Sequence, residues 1–467
     1  METVIVDQDQ VDHHQLIKLN KAGPRYTSYP TAPEWETWAG AVATYREKLL
    51  ELAASGRPLS LYFHIPFCES MCLFCGCSVI LNRKEENEIR YIDYLIKEID
   101  LVASCFSSPP KVVQLHFGGG TPTKLSEALF LRLYEKLQTV FEIDPTGELS
   151  IEIDPRTVVQ DSGSKLRMLR RLGFNRVSFG VQDTDPKVQE AVKRRQTYEM
   201  TRETYELARS LGFTGISFDL IYGLPYQTVT SFQDTLTKII GLRPDRVALF
   251  SYAKIPWLKP HQKAIDEATL PSTEEKFKIY VQARKAFLEN GYVAIGMDHF
   301  ALQEDGLAKA YLTKRLQRNF QGYSLKLAED VVSMGVTSIG FVQEAYFQNL
   351  KELSEYYKAL DAGALPVFRG KVLNLDDKIR KWVIHTLMCD FELDKKVFKK
   401  QWNLDFDQYF AGDQRALEIC ISDGLVNNSP EKLLPTPYGK LFIRNIAMVF
   451  DAYLKKQETQ GMFSQAI

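Results

Sequence analysis

This 467-residue sequence has no apolar run long enough to span a bilayer, almost no net charge and few cysteines. The first absence excludes a membrane-spanning helix. The formal net charge of -1 leaves no general basic field for nucleic acid, so neither membrane nor nucleic acid is an expected partner. The first residues, METVIVDQDQVDHHQ, lack the basic start and apolar middle of a secretory signal, and the expected location is the cytoplasm. Seven cysteines stand at 68, 72, 75, 77, 105, 389 and 420. A disulfide framework needs an oxidising compartment and usually a small domain, and neither is indicated. Four of the seven fall within ten residues, which reads as metal binding or redox chemistry. With 45% hydrophobic and 25% charged residues the chain is an ordinary globular one, long enough for one large domain and a smaller one.

From residue 60 onward, short β-branched and aromatic runs alternate with amphipathic stretches of helical period. The strand candidates are SLYFHI (60–65), VVQLHF (112–117), LSIEID (149–154), RVSFGV (176–181), GISFDLI (215–221) and RVALFSY (246–252). The clearest helices are 86–106, 126–141 and 274–291. Gly173, Gly212 and Gly291 stand between a helix and a strand, where a left-handed residue suits the helix end. Repeated units of this kind predict an α/β fold with a parallel sheet, an open or partial β/α barrel of about six strands. Residues 300–370 are less regular. The last hundred look mostly helical and separate, with a turn-rich piece at 423–440. The expected division is an N-terminal extension (1–55), the barrel and its extension (56–370) and a C-terminal helical domain (371–467).

The unusual residues gather at the carboxyl ends of the strands, where such sheets bind ligands. The segment YFHIPFCESMCLFCGCSVI (62–80) follows the first strand. Cysteine thiolates are the usual iron–sulfur ligands. Cys68, Cys72 and Cys75, at +4 and +3 spacing around Phe74, would hold a 4Fe–4S cluster with one iron left open. S-adenosylmethionine (SAM) can fill that corner. A structural zinc site usually needs a second ligand pair, and no second CxxC or HxxxH occurs. Cys77 could be a fourth ligand or a small buried residue beside the cluster.

FGGGTPT (117–123) lacks both the P-loop lysine and the GxGxxG spacing; it reads as a cradle for the amino end of SAM or as a tight turn. In LSIEID, Glu152 and Asp154 share one face, to meet the cationic cofactor or to pair with a base such as Arg156. Asp219 invites the same argument, for ribose hydroxyls. Gln182 and Arg194 are weak signals taken singly. His64 and His116 read as hydrogen-bonded core residues. Tyr62 shares the strand face of His64 and would touch the site.

These residues resemble the oxygen-independent coproporphyrinogen III oxidase family. The resemblance rests on YFHIPFCESMCLFCGC, GPRYTSYPTA (23–32), LHFGGGTPT (115–123), IEIDPR (151–156), FGVQD (179–183), DLIYGLP (219–225), GMDHFA (296–301) and RNFQGYS (318–324). It covers about residues 15–370. The cysteine motif alone indicates only the radical SAM superfamily. DSGSKLRMLRRLG (161–173) is slightly longer than the family pattern and falls on the outer layer.

The resemblance implies oxidative decarboxylation of two propionates of coproporphyrinogen III to vinyl groups, giving protoporphyrinogen IX in haem biosynthesis. It implies Cys68, Cys72 and Cys75 as cluster ligands. It places Tyr62, Phe74, Gly119, Gly120, Thr121, Glu152, Gln182, Arg194, Asp219, Ala253 and Ile339 at SAM-contacting positions. Two SAM molecules are expected. Tyr62, Glu152 and Gln321 are the expected catalytic residues, and Arg25 would help close the substrate site. A reductant such as flavodoxin or ferredoxin, an unidentified electron acceptor and a monomeric state complete the implied picture. The alternatives are a related radical enzyme acting on haem, a non-catalytic haem carrier, and a plain iron–sulfur or zinc protein. The haem carriers usually lack the fourth cysteine and the YTSYPT segment. An electron carrier has no need of the glycine loop and inward carboxylates.

Overall fold

A computed structural model of the chain describes residues 13–454 and 463–465; the polar stretch read as lacking a secretory signal lies largely outside the described residues. The six expected strands are all present: β1 (Leu59–Ile65), β2 (Lys111–Gly119), β3 (Glu142–Ile153), β4 (Arg176–Gln182), β5 (Gly215–Tyr222) and β6 (Arg246–Ser251). They lie side by side in chain order and all run parallel. Helices Glu85–Ala103, Glu127–Val140, Tyr198–Ser210, Val229–Leu242 and Thr273–Glu289 are among those that cover the outer face. Gly173, Gly212 and Gly291 adopt φ of 94°, 82° and 84°, the left-handed geometry expected of helix-ending glycines.

The irregular-looking region builds much more of the sheet than its sequence showed. β7 (Tyr292–Ile295) and β8 (His299–Leu302) close one edge antiparallel. A hairpin, β9 (Leu316–Asn319) and β10 (Gly322–Leu325), stands apart from it. β11 (Val331–Met334) adds a seventh parallel strand beside β1. Antiparallel β12 (Ile339–Val342), β13 (Ala345–Asn349) and β14 (Val367–Val372) then extend that edge, giving twelve strands in all. These added strands are four to six residues long, too short for their pattern to stand out from turns. The long outer segment at 161–173 is absorbed by a break, with Ser162 and Gly163 both left-handed between two short helices.

The turn-rich piece near the C-terminus contains a hairpin, Val426–Asn428 with Lys432–Pro435. The C-terminal helices share the main apolar cluster with the barrel. They also grip the N-terminal segment: Arg444 Nε donates to Pro24 O (3.0 Å), Asn445 Nδ2 to Leu19 O (2.9 Å) and Tyr26 Oη to Asp451 (3.0 Å). Among the described residues no helix is long and apolar enough to cross a membrane.

One buried carboxyl ties the β11 and β13 edge to the helix layer. Glu98, only 1% exposed, accepts from Gly335 N (2.8 Å), Asn349 Nδ2 (2.6 Å) and Tyr356 Oη (2.5 Å). Burial outweighs these donors and pushes the carboxyl up to about 7. A group whose folded value is raised stabilises the fold below its unfolded value and loses that effect as pH rises. Stability is therefore expected to fall by about 3 kcal/mol between pH 4.5 and 7.5 from this group. The Glu98→Gln protein should lack that slope in thermal unfolding compared at pH 5 and 8; parallel curves for the two proteins would rule the effect out.

Candidate functional site

Strand pairing assembles one polar inner layer from residues far apart in sequence. Tyr62 on β1 stands opposite His116 on β2, His116 opposite Ser150 on β3, and Glu152 opposite Ser178 on β4. Ser178 stands opposite Ser217 and Gly180 opposite Asp219 on β5. Directly opposed residues share a face, so all of these line the inside of the curved sheet. Tyr62 stacks on His116 at 5.9 Å and its hydroxyl donates to His64 Nδ1 (3.1 Å). The other nitrogen of His64 donates to Ser78 O (2.9 Å), which ties β1 to the cysteine loop. His64 is thus a buried, hydrogen-bonded strand residue, as its position suggested, whereas His116, bonded to Ser150 Oγ (2.6 Å), is partly exposed on the inner layer.

Glu152 accepts from Gly119 N (3.0 Å) and lies 3.5 Å from His116 Nε2. Its depth would raise the carboxyl, but His116 and the Gly119 amide outweigh burial and hold it below the usual range. Its side chain nevertheless keeps 43% of its surface free, so this carboxylate faces an open space rather than packed protein. Asp219 accepts from Ser178 Oγ (3.2 Å); burial, followed by the charge of Glu152, pushes it up to about 7. Asp154 parts company with them. It caps the helix Pro155–Gln160 and pairs with Arg156 at 2.6 Å, which is the structural alternative raised by the sequence.

The glycine loop is shaped by close approach. A side chain on Gly120 would meet the Pro66 carbonyl group at 2.7 Å, and one on Gly119, at φ 115°, would meet the His64 ring at 2.6 Å. Gly120 N donates to Ile65 O and Thr121 N to Phe67 O, both at 2.8 Å. With the Gly119 amide on Glu152, these donors are committed, so the loop can offer a ligand only acceptors.

The cysteine loop lies over this layer. Cys68 Sγ shares a hydrogen bond with Thr121 Oγ1 (3.3 Å), and Cys75 N donates to Cys72 O (3.1 Å). Arg194, buried, reaches Cys72 Sγ and Asp154, both at 3.6 Å, and donates to Gly180 O (2.5 Å). Burial raises the Cys68 thiol to about 11. Cys75 is lowered to about 7, chiefly by a hydrogen bond from Cys77, with Lys259 and Arg194 contributing. Cys77 is exposed, not the small buried residue expected. Gln182 ends β4 at φ 70°, a strained conformation for a residue other than glycine. Its amide lies near the position a Gly180 Cβ would occupy.

A segment overlooked in the sequence clamps the loop from the other side. Lys259 Nζ donates to Cys77 O (2.7 Å), His261 to Cys75 O (2.9 Å), and Gln262 Nε2 to Phe74 O (3.0 Å) and Ala253 O (3.1 Å). Its signal, three polar side chains in KPHQ just past a strand end, was present in the sequence.

Three further expected site residues stand outside the six first strands. Ile339 opens β12 and packs in an aromatic cluster with Trp35 and Tyr346. Gln321 is exposed in the turn between β9 and β10, beside Phe320, whose ring meets Trp35. Arg25 lies on the helix side of β5 and β6. There it donates to Ser251 O (3.0 Å) and lines a small cavity with Tyr222, Tyr280 and Arg444. Strand alternation puts Tyr222 on the face opposite Asp219.

Comparison with known proteins agrees with this architecture. Residues 62–239 match the radical SAM superfamily model and residues 373–442 the HemN C-terminal domain. A cysteine loop at the carboxyl end of the first strand, over a polar inner layer of a partial barrel, places the chain among radical SAM proteins. The chain is 42% identical over 468 residues to the oxygen-independent coproporphyrinogen III oxidase of Escherichia coli, covering 99% of this chain and 100% of that protein. It is also 42% identical over 456 residues to the one from Synechocystis, covering 97% of each. The solved structure of the Escherichia coli enzyme, described as a radical SAM enzyme, superposes with a TM-score of 0.87 over 95% of this chain and all of that one. This chain belongs to the oxygen-independent coproporphyrinogen III oxidase family. The superfamily uses a 4Fe–4S cluster and SAM.

Proposed function

We propose that this chain converts coproporphyrinogen III to protoporphyrinogen IX without oxygen, by oxidative decarboxylation of two propionate arms. Full-length identity to enzymes named for that substrate carries the reading. The donor set fits the cofactors. Three thiols of one loop would bind three irons and leave the fourth for SAM. Each thiolate of such a cluster holds its own iron. The sulfurs therefore need not converge on one point, and among the described residues no group of three His, Cys, Asp or Glu is gathered to hold a metal ion.

The cluster and SAM, when bound, would supply a one-electron reduction and a hydrogen-atom acceptor for the propionate β-carbon, and the arm would become a vinyl group by losing carbon dioxide and one further electron to the acceptor. Glu152 and the acceptors of the glycine loop would hold the cationic end of SAM. Asp219, with Ser178, would accept from ribose hydroxyls. Arg194 would balance the charge of the thiolates beside Cys72. Tyr62, locked by His64 and His116, would line the floor, while Phe74 and Ala253 would border the adenosyl group. A second SAM beside the first belongs to the same reading. A flavodoxin- or ferredoxin-type reductant, a separate electron acceptor and a monomeric chain belong to the same reading.

The test is an anaerobic assay of cluster-loaded protein with SAM, reductant and coproporphyrinogen III. The expected products are 5′-deoxyadenosine, carbon dioxide and divinyl product. Deoxyadenosine without any vinyl product would keep the superfamily chemistry and reject this substrate.

A further inference from the structure

The inner layer does not stop at Tyr62. Tyr62 stands opposite Ser333 on β11, and Val331, two residues earlier on the same face, stands opposite Phe341 on β12. Phe341 pairs with Tyr346 on β13, and Gln348 on β13 pairs with Arg369 on β14. The cofactor face therefore continues across four more strands. At about 4.8 Å per strand, Phe341 lies about 10 Å and Arg369 about 19 Å from β1 along the sheet.

The character of the face changes on the way. Trp35 stacks on Tyr346 at 5.1 Å and meets Phe320 edge-on at 5.7 Å; Phe341 lies 4.7 Å from Tyr346. Two half-buried cations flank these rings. Lys381, on the helix Leu375–Asp390, sits 3.4 Å from the Phe341 centroid. Arg369 lies 5.8 Å from the Trp35 ring and donates to Gln348 Oε1 at 2.7 Å. The carboxylates near Lys381 pair with other cations, Glu344 with Lys378, and Glu329 and Asp330 with Arg57, and offset its burial only in part. Burial pushes Lys381 down to about 7, a cost that an arriving anion would relieve. Ile339 borders this cluster, and Gln321 follows Phe320, whose ring is part of it.

We infer that this strip is where the tetrapyrrole docks, its pyrrole faces against Phe341 and Phe320 and its carboxylate arms on Lys381 and Arg369. The inference rests on the proposed function and assigns the substrate end of the same site. Charge complementarity selects the occupant: an apolar ring system with carboxylates at its rim meets aromatic rings with two cations at their edge. Arms held there would leave another arm pointing back toward Tyr62. Lys381 and Arg369 act by positioning.

The test measures binding of coproporphyrin III, and of its uncharged tetramethyl ester, to cluster-loaded wild type, Lys381→Met, Lys381→Arg and Arg369→Met. Each methionine variant should weaken the acid's binding about tenfold and raise KM more than it lowers kcat. Lys381→Arg should restore most of the affinity, and the ester should bind all four alike. Unchanged acid binding in the methionine variants, or an equal loss for the ester, would overturn the docking assignment. Failure of wild type to form vinyl product would instead overturn the proposed function.

Discussion

Purified and reconstituted without oxygen, the Cys75→Ala protein should hold little iron and lose at least about a thousandfold of both deoxyadenosine and vinyl product, because a cluster missing one of three protein ligands is not retained. Cys75 is the thiol best prepared to ligate, since the Cys77 hydrogen bond and the nearby Lys259 and Arg194 bring it to about 7. Metal binds the thiolate, so a thiol near 7 gives up its proton at little cost. The contrast that gives this result meaning is Cys77→Ala. Cys77 is exposed, and its role beside Cys75 is a hydrogen bond, so this variant should keep its iron and stay within about threefold of wild type. Iron content and the electron paramagnetic resonance signal of the reduced cluster read both variants directly. A cluster that survives Cys75→Ala and disappears in Cys77→Ala would exchange the two assignments.

The second large effect is expected at Glu152. Glu152→Gln keeps an oxygen for the Gly119 amide, so the loop should hold its shape. What it removes is a negative charge facing open space. Hydrogen bonds to charged groups contribute about 1.5–3 kcal/mol, so SAM affinity should fall about ten- to a hundredfold. His116 provides the internal control, because its Nε2 lies 3.5 Å from Glu152 and its stacking on Tyr62 does not need the charge. The measurement is equilibrium SAM binding to cluster-loaded protein, and an unchanged Kd would remove Glu152 from the cofactor site. Since the carboxyl is held below its ordinary range, wild-type SAM affinity should persist with falling pH until below the usual carboxylate range.

How much of this was legible depends on the kind of residue. The six parallel strands were readable because each is a run of six or more residues buried on at least one face, with a glycine at the preceding joint in two cases. β12 to β14 were not, because short antiparallel strands at a sheet edge owe their pairing to the neighbouring strand. Glu98 was invisible in the same way: within its helix it reads as a solvated acid, and only the fold surrounds it with donors from Gly335, Asn349 and Tyr356. The sequence left Asp154 open between a cofactor partner and an ion pair, and the 2.6 Å pair with Arg156 decided for the ion pair, with Arg194 a second partner at 3.6 Å. Lys259, His261 and Gln262 carried a polar signal, but their target, a loop almost two hundred residues earlier, is a tertiary fact.

The sequence by itself determined the chemistry available to this protein: the thiol spacing, the glycines where backbones must nearly touch, and the alternation that sends one carboxylate inward. Those are local properties, set by bond geometry and by the two-residue period of a strand. Tertiary structure alone decided which thiol sits near its proton's point of release, which carboxylate keeps open space before it, and which aromatic and basic residues continue the cofactor face. Each depends on distances between segments remote in the chain, and electrostatic energies inside a protein change steeply with such distances.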